Sequence, residues 1–90
     1  MAEVGFTTQF KKDIKKALKQ GKDRTKFDKI IDIFLDDKKF PKRLKDHKLI
    51  GNYIGRRELH IEPDWLLVYR IEKNKIFLER TGSHSELFKK

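Results

Sequence analysis

The residues best equipped for chemistry in this chain are His47, His60 and His84, together with Asp64 and Arg80. An imidazole can accept or give a proton near neutral pH. A guanidinium stays charged and offers forked donors to a phosphate. These are the parts needed to cut RNA without a metal. The 2′-hydroxyl attacks the adjacent phosphorus, so one group must take its proton. A second group must neutralise the non-bridging oxygens, and a third must protonate the departing 5′-oxygen. Accessible aromatic rings would add stacking for single-stranded bases. The three histidines could instead bind zinc, although no His-x-x-x-His pair or comparable ligand spacing occurs. Plainer readings exist for each residue. Asp64 follows Pro63 and suits a turn, and Arg80 could be a surface partner of Glu79 or Glu62. Residue types alone leave these alternatives open.

The elements that must position these groups divide the chain in two. Thr7 or Thr8 can cap a first helix, along which Phe10, Ile14, Ala17 and Leu18 recur at helical spacing. Gly21 suits the stop and Asp23 the next cap. Phe27, Ile30, Ile31, Phe34 and Leu35 form a second stripe, ended by Phe40-Pro41. The period then changes. Leu59 and Ile61 alternate with Glu58, His60 and Glu62, which predicts a half-buried strand with His60 on its other face. Pro63-Asp64 is a turn signal. Residues 65–71 are nearly all apolar and predict a central strand; Trp65 and Tyr69 then read as core if the helices cover their face. Residues 76–81 predict the next strand, and 85–88 a short terminal segment. Arg80 has the parity of Ile76 and Leu78, which leaves its face undecided. The expected fold is α+β: a basic helical hairpin on one face of a mostly antiparallel sheet of about four strands, in a single domain over residues 1–90. Val4-Gly5-Phe6 could add an edge strand. The face away from the helices is expected to be open, with the tail carrying His84 and Phe88 able to fold back over it.

Composition narrows the function classes. The formal net charge is +9, and residues 1–45 hold 14 of the 23 lysines and arginines against 7 of the 14 acids. Such a surface favours a polyanion, because phosphate contacts release condensed counterions; an acidic protein would also suit it. The absence of cysteine excludes disulfides, thiolate metal sites and a thiol nucleophile. No phosphate-loop glycine pattern and no serine in a nucleophile-elbow context occur. No apolar run is long enough for a signal peptide or a membrane span, so a soluble cytoplasmic protein with no membrane partner is expected.

Three segments carry a family signal: Lys45-Asp46-His47-Lys48-Leu49-Ile50-Gly51, the run from Arg57-Glu58-Leu59-His60 through Pro63-Asp64-Trp65 to Tyr69, and Glu79-Arg80-Thr81-Gly82-Ser83-His84-Ser85-Glu86-Leu87-Phe88. Together they resemble the YafQ branch of the RelE-type bacterial toxins. Residues 1–44 are similar to that family in layout only. The clearest departure is Tyr53, where a tryptophan is common. The resemblance implies the toxin of a type II toxin–antitoxin pair: a ribosome-dependent endoribonuclease that cuts messenger RNA, needs no cofactor or metal, and is inhibited by a cognate antitoxin. It implies a catalytic set of His47, His60, Asp64, Arg80 and His84, with Trp65 and Phe88 against the substrate. Within that set Arg80 is expected on the scissile phosphate and His84 at the leaving oxygen, while His47 or His60, helped by Asp64, takes the 2′-hydroxyl proton. Docking on ribosomal RNA is expected to use Lys11, Lys12, Lys15, Lys16, Lys19 and Lys22. The alternatives are a non-catalytic RNA-binding or antitoxin-binding regulatory module, and a zinc-dependent hydrolase.

Overall fold

The computed structural model describes residues 3–36, 40–49 and 55–88; Tyr53, the departure noted above, lies outside them. Strand β1 (Glu3–Phe6) leads into helix α1 (Thr8–Lys19) and helix α2 (Arg24–Asp36). A single 3-10 turn at Lys42–Leu44 precedes the short strand β2 (His47–Lys48). Strands β3 (Arg57–Glu62), β4 (Trp65–Glu72) and β5 (Lys75–Gly82) follow, and helix α3 (His84–Leu87) closes the chain.

Both long helices start where the sequence places a cap. The Thr7 hydroxyl accepts from the amide of Phe10, and the Asp23 carboxylate accepts from that of Thr25. Gly21 takes a positive φ of 89° after α1, a conformation in which any side chain is strained.

The sheet has five strands in the order β1-β5-β4-β3-β2. It is one strand larger than expected and is mixed. The meander is antiparallel, but β1 pairs with β5 in parallel, from Glu3 opposite Lys75 to Phe6 opposite Leu78. The parallel pair is possible because no tight turn joins these strands: α1, α2 and strands β2, β3 and β4 all lie between them in sequence.

The helices cover one face of the sheet. Phe10, Ala17, Ile30 and Phe34 pack there on Leu59, Ile61, Trp65, Leu67, Tyr69, Ile76 and Leu78. The other face is less open than the pattern suggests. Helix α3 folds over it and seats Leu87 on Leu66 and Val68, with Leu49 and Phe88 alongside. Strand β4 is therefore buried on both sides from Trp65 to Tyr69, in agreement with its unbroken apolar run. Gly82 permits the close approach of α3, since a Cβ there would sit 3.1 Å from a Glu86 carboxylate oxygen and 3.4 Å from Leu87. Among the described residues, no helix is long and apolar enough to cross a membrane.

Candidate active site

Strand pairing sets the chemistry in two rows across the face that carries α3. In one, His47 lies opposite Glu58, Glu58 opposite Val68, and Val68 opposite Arg80. In the next, His60 lies opposite Leu66, and Leu66 opposite Gly82, two residues before His84. The imidazoles form a line: the ring centres of His47 and His60 are 6.2 Å apart, those of His60 and His84 5.8 Å, and those of His84 and Phe88 6.4 Å. The three histidines expected to converge thus do so, with Phe88 at the end of the line.

Two backbone carbonyls fix how the first two rings present themselves. His47 Nδ1 lies 2.6 Å from the carbonyl of Lys45, and His60 Nδ1 lies 3.4 Å from that of Pro63. A carbonyl only accepts, so each Nδ1 is the donor. Lys45 sits in the left-handed region at φ 51°, which turns its carbonyl toward the ring. Both Nε2 atoms are left facing one carboxylate. Glu58 Oε1 lies 3.4 Å from His60 Nε2 and 4.0 Å from His47 Nε2. Glu58 is 4% exposed, a depth at which carboxylates are rare unless partnered.

Glu58 joins the histidine line by its geometry, and sequence reasoning did not single it out. The signal was present, because Glu58 shares the strand parity of His60. The pattern assigned that face to solvent, however, and so the carboxylate read as surface. The ligand atoms of His47, Glu58 and His60 all lie within 4.8 Å of one another, a set of two imidazoles and one carboxylate that suits a divalent metal ion. Histidine spacing alone gave no such indication, since one ligand comes from β2 and two from β3.

Asp64 does not serve His47 or His60, as the sequence reading had it. Its Oδ1 accepts from the backbone amide of His84 at 3.0 Å and lies 3.0 Å from His84 Nδ1. These contacts, the backbone one first, hold the Asp64 carboxyl below its ordinary range. A carboxylate on Nδ1 fixes the tautomer and leaves Nε2 as the exchanging nitrogen. The first turn of α3 is set by Ser83 and Glu86, each bonding the other's backbone amide in a capping box.

Arg80 is on the histidine face by register, and its guanidinium also bonds a helix on the other side. A bulge between Val68 and Tyr69 shifts the pairing, so Leu78 faces the helices opposite Tyr69 while Arg80 lies opposite Val68. That settles the parity left undecided by the sequence. The guanidinium then reaches round the edge of β5 to α1, where Nε donates to Asp13 Oδ2 at 2.7 Å. The same oxygen accepts the amide of Thr81 at 3.2 Å.

Trp65 overturns an expectation. It is 0% exposed within the helix-side core, and its indole N–H donates to the Thr81 hydroxyl at 2.9 Å. A sealed ring cannot stack on a base, so Trp65 supports the sheet beneath the site. Phe88 is half-buried beside His84 and packs on the Leu66, Val68 and Leu87 cluster. Of the lysines expected to dock RNA, Lys11, Lys12, Lys15, Lys16 and Lys19 are exposed on α1 and Lys22 is half-buried beyond it. Lys16 pairs with Glu86, and Lys22 with Glu62.

Residues 2–89 match the family model described as the bacterial toxin of a type II toxin–antitoxin system, YafQ. The chain belongs to the YafQ toxin family. Relatives agree over the whole length. The protein of Escherichia coli strain K12 named mRNA interferase toxin YafQ is 36% identical over 87 residues, which cover 96% of this chain and 95% of that one. The crystal structure of the E. coli DinJ-YafQ complex superposes with a TM-score of 0.89 at 35% identity, covering 98% of this chain and 99% of the YafQ chain. A metal-bound toxin from Helicobacter pylori superposes with a TM-score of 0.89 at 39% identity, covering 98% and 100%. The YafQ-family fold thus has the two-helix and mixed-sheet architecture seen here.

Proposed function

We propose that this YafQ-family toxin is an endoribonuclease that cleaves messenger RNA on the ribosome by general acid–base catalysis, and that an antitoxin made alongside it holds it inactive. The reading takes residues 1–90 as one toxin domain acting in the cytoplasm. The observation that carries it is the line of three imidazoles with two carboxylates at fixed nitrogens. It is supported by the name of the E. coli relative and by the complex that its YafQ forms with DinJ.

The reaction needs one proton removed and one supplied. In the proposed assignment, His47 and His60 have both Nδ1 positions committed to carbonyls. The proton free to move is then the one shared among their Nε2 atoms and Glu58. That cluster takes the proton of the 2′-hydroxyl as its oxygen bonds to phosphorus. His84, oriented by Asp64, gives a proton to the 5′-oxygen as the phosphorus–oxygen bond breaks. The products are a 2′,3′-cyclic phosphate and a free 5′-hydroxyl. Arg80 is assigned to the phosphate oxygens, which requires its guanidinium to exchange Asp13 for substrate. Phe88 lines the nucleotide beside His84, and the α1 lysines dock ribosomal RNA.

Induced expression of the lone chain in a bacterium tests this. The expected result is growth arrest with transcripts cut within their translated regions, relieved by His84→Ala. Arrest without cleavage, or cleavage unaffected by His84→Ala, rules the mechanism out. A second reading is favoured by the His47, Glu58 and His60 donor set: the cluster holds a divalent metal that takes part in hydrolysis. Loss of cleavage on chelation, with recovery on metal addition, would establish it in place of the acid–base reading.

A further inference from the structure

A second depression opens beside the imidazole line. It lies between the N-terminal turn of α2, the 3-10 turn at Lys42–Leu44 and the end of β3. Its volume is about 350 Å³, within the range of small-molecule and nucleotide pockets. Leu44 and Ile61, both buried, contribute to its lining. Lys26, Arg43 and Lys45 line it as cations, and Glu62 is its sole acid. That acid is already engaged, by Lys26 at 2.8 Å and Lys22 at 3.7 Å. Among the described residues, the exposed side chains of Arg43 and Lys45 have no ion-pair partner. His60 is a wall of this groove and also a member of the catalytic line.

We propose that this groove binds the phosphate next to the scissile one on the substrate strand, with Arg43 and Lys45 as its ligands. Three observations converge on a phosphodiester of the messenger strand. The groove is continuous with the cleavage site through His60, so a strand lying across the imidazoles runs directly into it. Its two unpaired cations meet a single, neutralised carboxylate. The left-handed turn at Lys45 serves both places at once, sending its carbonyl to His47 while the side chain lines the groove. A strand gripped at the neighbouring phosphate is also fixed in register over the line, which converts binding into positioning. The assignment rests on the nuclease reading above, and the experiment separates the two.

The probe is a short single-stranded RNA with 2′-O-methyl at the cut position, binding measured by fluorescence anisotropy. Methylphosphonate replaces one flanking phosphate at a time. Wild type and the double variant Arg43→Gln, Lys45→Gln are compared, with glutamine keeping bulk and the backbone at residue 45. One released phosphate contact on a single strand changes the salt slope by about 0.7, which is about fivefold in affinity at 0.1 M salt. The expected result is a fivefold loss for wild type at one flanking position, and no further loss at that position in the double variant. Equal sensitivity of the two proteins at every position overturns the groove assignment. Weakened binding of the variant to ribosomes carrying no message also overturns it, placing the cations on ribosomal RNA instead. If wild type neither binds the probe nor cuts a translated message, it is the nuclease reading that fails. The melting temperature of the variant is measured in parallel to confirm that it is folded.

Discussion

Replacing Glu58 by glutamine is the sharpest perturbation of this site. The amide keeps the size of the carboxylate and removes only its charge and its capacity to take a proton. A hydrogen bond to a charged group contributes about 1.5–3 kcal/mol, or roughly 10- to 150-fold in rate at 1.36 kcal/mol per decade. The geometry selects the lower part of that range. The contacts to His60 and His47 are 3.4 and 4.0 Å, longer than the roughly 2.8 Å of a tight charge-assisted bond. We therefore expect kcat to fall about 10- to 30-fold with KM little changed. Stability should hold or rise slightly, because a buried carboxylate carries a desolvation cost that the neutral amide avoids. The assay is single-turnover cleavage of a reporter message in a reconstituted translation system, with thermal unfolding recorded on the same preparation. A cleavage rate within threefold of wild type would refute the assignment. So would a loss that follows a fall in melting temperature, since Glu58 would then be a structural residue.

Four further outcomes are expected. Trp65→Phe should lower stability by about 1–3 kcal/mol, through lost volume and the lost indole bond to the Thr81 hydroxyl, which keeps its own bond to the Leu66 carbonyl, while cleavage at low temperature stays near wild type; a rate loss without destabilisation would return Trp65 to the substrate. Asp13→Ala should destabilise the fold by roughly 2 kcal/mol, since it leaves the Arg80 guanidinium and the Thr81 amide without their shared acceptor; an unchanged denaturation midpoint would count against the pairing. Glu86 is held down to about 2 from 4.5, first by Lys16 and then by the Ser83 amide, so its contribution to stability is complete above pH 4.5 and is lost as pH falls toward 2. Melting temperature should therefore drop over that interval, and Glu86→Gln should flatten the drop. Replacing Lys11, Lys12, Lys15 and Lys19 together by alanine should weaken ribosome association and reduce its salt dependence; an unaltered slope in a sedimentation assay would reduce these lysines to solvating groups.

Much of the scaffold was legible because local chemistry specifies it. Thr7 and Asp23 cap their helices in the structure as in the sequence, for a short polar side chain at those positions satisfies amides that nothing else can reach. The unbroken apolar run from Trp65 marks the one strand covered on both faces. The rare residues of residues 45–88 likewise sufficed to indicate the YafQ family. That same stretch singled out the three histidines and Phe88 that the fold lines up.

Tertiary structure decided what each of those residues touches. Strand alternation gives a parity but does not say which neighbour a strand acquires or what lies above it. Only when β2 pairs with β3, and α3 folds over the sheet, does Glu58 become a buried carboxylate between two imidazoles. The bulge at Val68 and Tyr69 inserts one residue and so reverses the parity that periodicity would give Arg80. The turn after β3 brings Asp64 to the start of α3 rather than to His60, because the chain that returns beside it is the end of β5. Trp65 is buried because the helices lie on its side of the sheet. Period and capping are properties of a segment and can be read from it, whereas burial and partnership are properties of the pairs of segments that fold together.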